Sequence, residues 1–540
     1  MKTKFANGLW VASCLPDWLR FQSAAESVQE TQTRLLSQYL NANKRTQYGE
    51  SFCFDKITSP SEYQQLVPLT TYDDYSEYIS RIGDGQPSVL TAEPVHMFEL
   101  SSGSTSASKL IPYTKNLKSE FQRGIAPWIY NLYTSIPDLQ NGPAYWSITP
   151  LIDGKRFTSA GIPIGFESDS DYLGLLGKWL VDSVMAIPNH VKNIADVDSF
   201  RYITLLYLLR HPELRLISVW NPTFLSLLLA RLPDWWERLL NDIEHGTIAV
   251  SDTEFRVAPS PKRARTLRDF SPTDYELFWP YLRLISCWMD GASAPYARQI
   301  EEMFPGVQLQ AKGLLATEAF VSLPIVGVEG SVLSINSHFF EFIDEAGDAL
   351  LAHQIEKGKQ YSVVVSTGGG LYRYQLQDVI EVIGHWKHVP RIRFLAKADR
   401  ISDWFGEKLD EQFVASVLEK VFSVHKISPS FAMLAPDDSD DFRYILFIEV
   451  DEYDAYLAQD VDDQLRNNFH YDYCRKLGQL QPVEIVRVLH GTETYLRVCQ
   501  SRGQKLGNIK PAVLQKTNGW RKWFRLNREE LIISSRPSRF

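Results

Sequence analysis

Cysteine is scarce in this chain. Its 540 residues include five cysteines, which lie far apart and nowhere form a Cys-x-x-Cys pair: Cys14, Cys53, Cys287, Cys474 and Cys499. An odd number of widely spaced cysteines argues against both a disulfide framework and a zinc site. The pattern favours a reducing compartment, and we therefore expect a cytoplasmic protein.

Long hydrophobic runs are also missing. No uninterrupted apolar run reaches the length of about 18 residues that indicates a membrane-spanning helix. The N-terminus carries two lysines and a short apolar stretch, but Asn7 and Gly8 interrupt that stretch, which is shorter than a typical export signal. We expect neither a membrane span nor an export signal.

An excess of positive charge is missing as well. The chain has 56 lysines and arginines against 65 aspartates and glutamates, which gives a net charge of −9. Such a surface repels nucleic acid, so we predict no nucleic-acid partner. Two short basic stretches, residues 262–268 and 520–525, are interpreted as solvated helix faces.

The common nucleotide and hydrolase motifs are absent. The sequence contains no Gly-x-Gly-x-x-Gly, Gly-x-Ser-x-Gly or His-Glu-x-x-His motif. A Walker loop is excluded for the most polar loop, because Leu110 follows its Lys109 where serine or threonine would be needed.

That polar loop is the most informative segment present. Residues 101–108 contain six hydroxyl side chains and one glycine, and Lys109 follows them. Hydroxyls, exposed backbone N–H groups and a lysine together can hold phosphate oxygens. A solvent-exposed polar turn is the alternative that the loop alone leaves open.

Hydrophobic patterning divides the chain into regions. Helical spacing predicts a helix near residues 24–48 and short helices to residue 78. Short apolar runs at 145–149, 216–220 and 284–288 alternate with helical stretches, of which one begins at Asn221 and Pro222, and this alternation predicts an α/β region. Closely spaced runs then predict antiparallel sheet: 332–335, 339–343, 361–366, 379–383 and 392–395. The charged segment 395–409 marks a domain boundary.

Two further segments end in an acidic residue. Residues 313–318 end in Thr317-Glu318, and residues 370–378 contain Tyr-Arg-Tyr and end in Asp378. Alternation around Arg373 predicts two core tyrosines and an outward arginine, and stacking of one tyrosine on adenine is the alternative. His385 and His388 lie near Glu381 without the helical context that a zinc site of this kind needs, and they are interpreted as turn residues.

In this order, the serine-rich loop, the Thr-Glu segment, the Tyr-Arg-Tyr…Asp segment and the charged hinge resemble the adenylate-forming superfamily. Within it, the chain is most similar to the auxin-responsive acyl acid amido synthetases, the Gretchen Hagen family. The likeness spans nearly the whole chain and is carried by residues 69–79, 81–82, 90–91, 101–114, 160–166, 286–288, 339–342 and 370–374.

The resemblance implies an α/β fold with two domains and a two-step reaction. Residues 1–396 would form a large domain, an α/β sandwich with an antiparallel β subdomain, that binds ATP and the acid. Residues 397–540 would form a small mobile α+β domain. With ATP and Mg²⁺, a small carboxylic acid would become an acyl adenylate, and an amino acid's amine would then displace AMP.

The resemblance also implies roles for individual residues. The phosphate-binding residues would be Ser101, Ser102, Gly103, Ser104, Thr105 and Lys109. Glu318 would hold Mg²⁺ with Thr317 beside it, and Asp378 would accept hydrogen bonds from the ribose. Lys397 would lie at the hinge, and Lys408 would reach the phosphates as a catalytic lysine, with Lys510 as the weaker candidate.

The sequence departs from the superfamily pattern at a few positions. Ser106, Ala107 and Gln377 stand where glycines are usual. Two alternatives therefore stay open beside the amido synthetase. One is an adenylate-forming ligase that transfers the acyl group to coenzyme A, and the other is a nucleotide-binding protein without catalytic activity.

Overall fold

The computed structural model describes residues 2–101, 109–147, 156–165, 183–194, 196–250, 253–290, 293–397, 401–439, 441–501 and 513–524. These residues form two compact units, one up to residue 397 and the other from residue 401 onward. In the part of the chain so described, no helix is long and apolar enough to cross a membrane.

Helices occupy most of the first 83 residues. They are α1 (Lys2–Ala24), α2 (Val28–Asn43), α3 (Gln47–Ser51), α4 (Pro60–Leu66) and α5 (Tyr72–Gly83). The predicted helical lead-in is confirmed, but α1 was not predicted. Apolar residues occur all around α1, with Trp10 and Phe21 buried and Phe5 and Leu19 exposed, so spacing alone did not indicate a buried face.

A parallel sheet lies at the centre of the first unit. Its strands are β3 (Ala144–Trp146), β6 (Leu216–Ser218), β9 (Leu284–Cys287) and β10 (Gln308–Ala311), in the spatial order β10-β9-β6-β3. Alternate residues face two hydrophobic clusters, because Leu216 and Leu284 belong to one cluster and Ile217 and Ile285 to the other. The three predicted strands of the α/β region are confirmed, and both faces of the sheet are buried.

Helices cover this parallel sheet. On the face of Leu216 lies α6 (Lys115–Ser135), which begins at Thr114. The helices that follow are α7 (Val197–Arg210), α8 (Pro222–Leu229), α9 (Leu232–His245), α10 (Pro261–Arg268), α11 (Tyr275–Phe278) and α12 (Ala294–Met303). The predicted start of α8 is confirmed, because the Asn221 side chain accepts a hydrogen bond from the Thr223 N–H at 2.9 Å.

A seven-stranded antiparallel sheet follows in the chain. Its strands are β11 (Ser322–Pro324), β12 (Ser331–Leu333), β13 (Phe339–Ile343), β14 (Ala349–Leu351), β15 (Gln360–Ser366), β16 (Tyr374–Trp386) and β17 (Val389–Lys397), in the order β11-β12-β17-β16-β15-β13-β14. The predicted antiparallel region is confirmed. His388 lies in the turn between β16 and β17 as predicted, whereas His385 is part of β16, so the turn assignment of His385 is wrong.

Smaller sheets complete the first unit. Strands β1 (Met97–Ser101), β2 (Lys109–Tyr113), β4 (Arg156–Phe157) and β5 (Pro163–Ile164) form one sheet in the order β2-β1-β5-β4. Strands β7 (Thr247–Val250) and β8 (Thr253–Arg256) form a hairpin. Short 3-10 helices span Pro137–Asn141 and Asn189–Asn193.

The second unit is an α+β arrangement. Its three-stranded sheet contains β20 (Phe431–Asp437), β21 (Arg443–Glu449) and β22 (Gln481–Arg487), and a short pair is formed by β18 (Ile401–Ser402) and β19 (Leu409–Asp410). Its helices are α13 (Glu411–His425), α14 (Leu457–Leu465), α15 (Phe469–Lys476) and α16 (Gly491–Ser501).

The basic stretches form solvated helix faces as predicted at Lys262, Arg265, Arg268 and Lys522, which are exposed, but Arg263 and Arg521 are partly buried. The Arg263 guanidinium donates to the carbonyl oxygens of Leu209 and Phe278, each at 2.7 Å, and burial lowers its pKa to about 10. Arg521 pairs with Asp437 at 2.6 Å. Arg263 thus satisfies buried backbone acceptors, and Arg521 pairs with a carboxylate, from distant segments that charge spacing along one helix cannot reveal.

Candidate active site

The two ends of the serine-rich loop are joined by strand pairing. Ser101 ends β1 and is the register partner of Lys109, the first residue of β2. The Tyr72 hydroxyl accepts a hydrogen bond from the Leu110 N–H at 2.8 Å, and the Lys109 Nζ lies 5.4 Å from the centroid of the Tyr72 ring. The predicted phosphate-binding residues Ser102, Gly103, Ser104 and Thr105 lie outside the described residues.

Thr317 and Glu318 form the tip of a tight turn. The backbone N–H groups of Ala316 and Ala319 each donate to the other residue's carbonyl, at 3.0 and 3.3 Å. Gly313 allows the chain to fold back here, because a Cβ at that position would lie 1.9 Å from the Ser322 carbonyl oxygen. Glu318 is 7% exposed, so this acid is buried and does not belong to the protein surface.

A buried network holds the base of this turn. The Phe320 N–H donates to His338 Nε2 at 3.0 Å, and His338 Nδ1 lies 2.9 Å from a Glu120 carboxylate oxygen. Because Nε2 accepts, the proton of the neutral ring is assigned to Nδ1, which then donates to Glu120. Burial lowers the pKa of His338, so the neutral ring is favoured. Sequence patterns gave no indication of this network, because Glu120 and His338 are 218 positions apart.

The Tyr-Arg-Tyr segment is joined to the start of α5. The Thr70 N–H donates to the Arg373 carbonyl at 3.0 Å, and the Gln375 N–H donates to the Thr70 carbonyl at 2.9 Å. The Tyr75 hydroxyl donates to the Tyr372 carbonyl at 2.8 Å and accepts from the Tyr372 N–H at 2.7 Å. The N-terminal helices therefore fix the backbone that leads into β16.

Arg373 points into the protein, contrary to the prediction of an outward arginine. It is 5% exposed, and its guanidinium pairs with the Glu341 carboxylate at 3.0 Å. It also donates to the carbonyl oxygens of Gln64 and Val67 at 2.8 and 2.7 Å. Its φ of +48° breaks the strand alternation on which the prediction depended. Tyr372 and Tyr374 are buried, so the prediction of two core tyrosines is confirmed.

Asp378 lies in a β-bulge of strand β16. The register between β15 and β16 shifts between the Ser362–Val379 and Val364–Gln375 pairs. Gln377 has a φ of +63° at this shift, a conformation that glycine adopts more easily. Asp378 is 3% exposed and is the register partner of Lys397 on β17. Asp378 nevertheless keeps the alternation of buried residues along β16, so its carboxylate stays on the buried face of the strand.

Glu318 and Asp378 act on the same tyrosine. The pKa of the Tyr374 hydroxyl is raised well above its ordinary value, first by burial, then by the negative charge of Glu318, and less by Tyr72, Tyr75 and Asp378. Burial and the Glu318 charge likewise raise the pKa of Tyr72. Coulomb interactions of this kind weaken with distance, so the two carboxylates, Tyr72 and Tyr374 share one neighbourhood beside the end of the serine-rich loop.

A phenol from β2 completes the described part of this site. The Tyr113 hydroxyl donates to the Thr317 carbonyl at 2.6 Å, so β2 and the Thr317–Glu318 turn are directly joined. Two buried carboxylates near a lysine-ended loop offer oxygen acceptors for hydroxyl groups and hard oxygen ligands for a divalent cation.

Lys408 belongs to the second unit and is described there by itself. It lies in the connection between β18 and β19 with a φ of +45°, and its carbonyl accepts from the Asn468 side chain at 3.3 Å. The preceding Glu407 is buried and accepts from the Tyr444 hydroxyl at 2.6 Å. These contacts fix the backbone of the connection. Lys510 lies outside the described residues.

Models of a known family match most of the chain. The GH3 family N-terminal domain matches residues 19–309, the GH3 family central domain matches residues 331–397, and the GH3 family C-terminal domain matches residues 411–519.

Individual relatives have low sequence identity to this chain, but the matches cover most of its length. An indole-3-acetic acid-amido synthetase GH3.2 of Arabidopsis thaliana is 25% identical over 73% of this chain and 78% of its own length. A jasmonoyl-L-amino acid synthetase JAR6 of Nicotiana attenuata is 25% identical over 87% of this chain and 88% of its own length.

Solved structures share the fold. AtGH3.15 acyl acid amido synthetase in complex with 2,4-DB matches with a TM-score of 0.66 at 20% identity, over 96% of both chains. A 2-hydroxyisobutyryl-CoA ligase in complex with 2-HIB-AMP and CoA matches with a TM-score of 0.53 at 12% identity, over 93% of this chain and 92% of that chain. The fold is therefore that of adenylate-forming ligases, as predicted.

Proposed function

Because the chain belongs to the GH3 family, we propose that it is an acyl acid amido synthetase, an AMP-forming acid–amino acid ligase. It adenylates the carboxylate of a small acid with ATP and transfers the acyl group to the amine of an amino acid, releasing AMP and pyrophosphate. The observation that carries this proposal is the match of GH3 family domains to three successive parts of a chain in which Glu318 and Asp378 are buried carboxylates.

Activation of the acid is needed because a free carboxylate is a poor electrophile. An amine would take its proton instead of attacking its carbon, whereas an acyl adenylate has AMP as a good leaving group. In the first step the carboxylate oxygen attacks the α-phosphorus and pyrophosphate departs, so negative charge must be stabilised on the phosphate oxygens. In the second step the amine attacks the acyl carbon, loses a proton, and AMP departs.

Individual residues take the following parts in this proposal. Asp378 accepts hydrogen bonds from the ribose hydroxyls, since a buried carboxylate offers two acceptor oxygens. Ser101, Lys109 and the loop between them bind the departing pyrophosphate. This assignment is supported by the hydrogen bond from the Leu110 N–H, at the end of the loop, to the Tyr72 hydroxyl. The pKa of that hydroxyl is raised by burial and by the charge of Glu318.

The donor chemistry fits a magnesium ion at Glu318. Within the described ranges, no three His, Cys, Asp or Glu side chains are grouped so as to enclose a metal. A Mg²⁺ ion there would take its remaining ligands from substrate phosphates and water, which is its usual mode of binding in nucleotide enzymes. When bound, it would stabilise negative charge on the phosphate oxygens. The backbone carbonyl of Thr317, the residue next to Glu318, accepts a hydrogen bond from the Tyr113 hydroxyl.

The second unit supplies the catalytic lysine in this proposal. Residues 1–396 form the ATP- and acid-binding domain and residues 397–540 the mobile domain, with Lys397 at the hinge between them. Lys408 is the lysine that this domain brings to the phosphates, where it acts as a point charge. The proposed cellular location is the cytoplasm, which is consistent with five free cysteines.

The decisive experiment is acid-dependent exchange of labelled pyrophosphate into ATP, followed by product analysis with amino acids or coenzyme A as acceptor. We expect exchange with some acids of a panel, and an amide product with an amino acid. Exchange that leads only to a thioester would favour the acyl-CoA ligase instead. Binding of MgATP without exchange for any acid would favour the non-catalytic nucleotide-binding protein.

A further inference from the structure

A buried lysine surrounded by indole rings lies at the carboxyl ends of the parallel strands. We name Lys312, Ser218, Trp128, Trp146 and Trp220 the Lys312 cluster. Trp146 and Ser218 end β3 and β6, Trp220 follows Ser218 by two residues, and Lys312 follows the last residue of β10. Ligands of open α/β sheets bind at the carboxyl ends of the strands, so this is a favoured place for a ligand.

Polar side chains form a row across the sheet beside this cluster. Trp146 pairs in register with Ser218, Ser218 with Ser286, and Ser286 with Gln310. Register partners in neighbouring strands point to the same face, and this face is covered by α6, whose Trp128 Nε1 donates to Gln310 Oε1 at 3.2 Å. A continuous polar row is unusual on a buried face of a parallel sheet.

Two polar groups of this row have unused hydrogen-bonding capacity. Ser286 is fully buried, and its hydroxyl has no hydrogen-bond partner within the described residues. The Trp146 indole N–H is likewise buried without a partner in that part of the chain. Buried polar groups are ordinarily paired, so these two atoms indicate a missing partner.

Lys312 itself makes few contacts for a buried amine. It is 8% exposed, and its Nζ donates to Ser218 Oγ at 2.7 Å. The Nζ lies 5.3, 5.7 and 4.8 Å from the ring centroids of Trp128, Trp146 and Trp220. Among the described residues, no carboxylate forms an ion pair with it. A lysine amine carries more than one N–H, so donors remain for a ligand.

We propose that the Lys312 cluster is the distal end of the acid-binding pocket, where Lys312 binds a hydrogen-bond acceptor on an aromatic acid. The acceptor is a hydroxyl or second carboxylate on the ring, remote from the carboxylate that reacts. This inference rests on the proposed amido synthetase function and names the class of acid that the enzyme uses.

The distance along α6 between the Lys312 cluster and the Thr317–Glu318 turn is comparable to the length of such an acid. At one end, Phe121 contacts Tyr113, whose hydroxyl holds the Thr317–Glu318 turn. Trp128 lies seven positions further along the same helix, which corresponds to about 10 Å along the axis. Because the Phe320 ring lies against Gly124 between these two positions, an acid of this length would lie beside that ring. Trp220, at the other side of the cluster, is 40% exposed and gives the cluster an edge at the surface.

The chemistry of the cluster explains why the acid is aromatic and substituted. Indole rings pack against aromatic rings edge to face or offset-stacked, and Trp128 and Trp146 already meet edge to face at 5.5 Å. Burial lowers the pKa of the Lys312 amine to about 7, and an anionic substituent would favour its charged form. A site built to donate a hydrogen bond discriminates strongly against an acid that lacks the acceptor.

The test compares three acids in pyrophosphate exchange with the full-length enzyme: benzoate, 4-hydroxybenzoate and benzene-1,4-dicarboxylate. The wild type should use at least one substituted acid with a kcat/KM about tenfold or more above that of benzoate. Lys312→Met keeps the aliphatic stem and removes the donor, so it should abolish this preference and leave benzoate within about threefold. The matched control is Lys357→Met, an exposed lysine of the same unit.

The possible outcomes separate this inference from the proposed function. A Lys312→Met enzyme that loses activity equally with all three acids, or keeps the wild-type preference, would overturn the inference alone. A wild type that prefers benzoate would do the same. If Lys312→Met does not fold, Ser218→Ala serves instead, and an unchanged preference there would count against the inference. Absence of exchange with every acid of a broader panel would overturn both the function and the inference.

Discussion

Asp378 is the residue whose replacement most directly tests the nucleotide site. Its carboxylate is buried in a β-bulge, and in the proposed function it accepts hydrogen bonds from ribose. Asp378→Asn keeps the size of the side chain but loses charge and one acceptor. We expect the dissociation constant for MgATP to rise about tenfold or more, measured by calorimetry. The control is Asp348→Asn, an exposed aspartate on the same sheet's periphery, and equal affinity of both variants would contradict the assignment.

Lys312 should make the stability of the first unit depend on pH. Burial lowers the pKa of its amine to about 7, while in the unfolded chain the amine keeps an ordinary value near 10.5. Between these values the unfolded state binds more protons, so the free energy of unfolding should rise with pH, by at most about 1.4 kcal/mol per pH unit. The nearby titratable group is the Cys287 thiol, whose pKa burial raises to about 11.

This dependence is measured by urea unfolding at pH 7 and pH 9. The wild type should gain stability relative to Lys312→Met at the higher pH, because the Met variant has no amine to deprotonate. An identical change in both proteins would mean that Lys312 stays charged in the folded state.

At the scale of the element, the backbone of the β16 bulge accounts for the glycine that the superfamily usually has where this chain has Gln377. Gln377 has a φ of +63°, where an L-residue is strained and glycine is not. We expect Gln377→Gly to raise the free energy of unfolding by up to about 1 kcal/mol, since the relieved strain exceeds the added entropy of the unfolded chain. Gln377→Val should lower it by more than about 1 kcal/mol, because β-branched residues avoid this region.

The measurement is chemical unfolding, with exchange activity as a second result. If Gln377→Gly retains activity, glutamine at this position is a tolerated substitute for glycine and not a mark of a lapsed enzyme. Equal destabilisation by glycine and valine would show that the Gln377 side chain, and not its backbone conformation, is what the bulge requires.

At the scale of the whole molecule, the second unit contributes to catalysis in the proposed function. Lys408 adds charge stabilisation in the adenylation step, so Lys408→Ala should reduce the rate of exchange about 100-fold or more. The dissociation constant for MgATP should change little, because Asp378 and the two ends of the serine-rich loop, Ser101 and Lys109, belong to the first unit. Lys420→Ala, in α13, is the control. Full exchange activity in Lys408→Ala would exclude the proposed role and favour Lys510.

Local patterns in the sequence predicted much of the architecture and less of the site. The start of α8 at Asn221 and the antiparallel strands were predicted because caps, prolines and alternation act over a few residues. The order of the serine-rich loop, Glu318 and Asp378 indicated the superfamily. Arg373 was assigned to the outside because alternation assumes regular strand geometry, which its positive φ breaks. The Glu120–His338 pair and the Lys312 cluster join segments that no spacing rule connects.

The attachment of Thr70 to the segment of Tyr372 has a consequence for biosynthesis. These residues are 302 positions apart, and their hydrogen bond is buried. A ribosome adding 5–20 residues per second needs roughly 15–60 s to make the intervening chain. During that interval the apolar faces of the N-terminal helices have no partner strand, and such nascent surfaces are prone to aggregation. Recombinant yield should therefore improve with added chaperone capacity, which protects these faces until the partner strand is made.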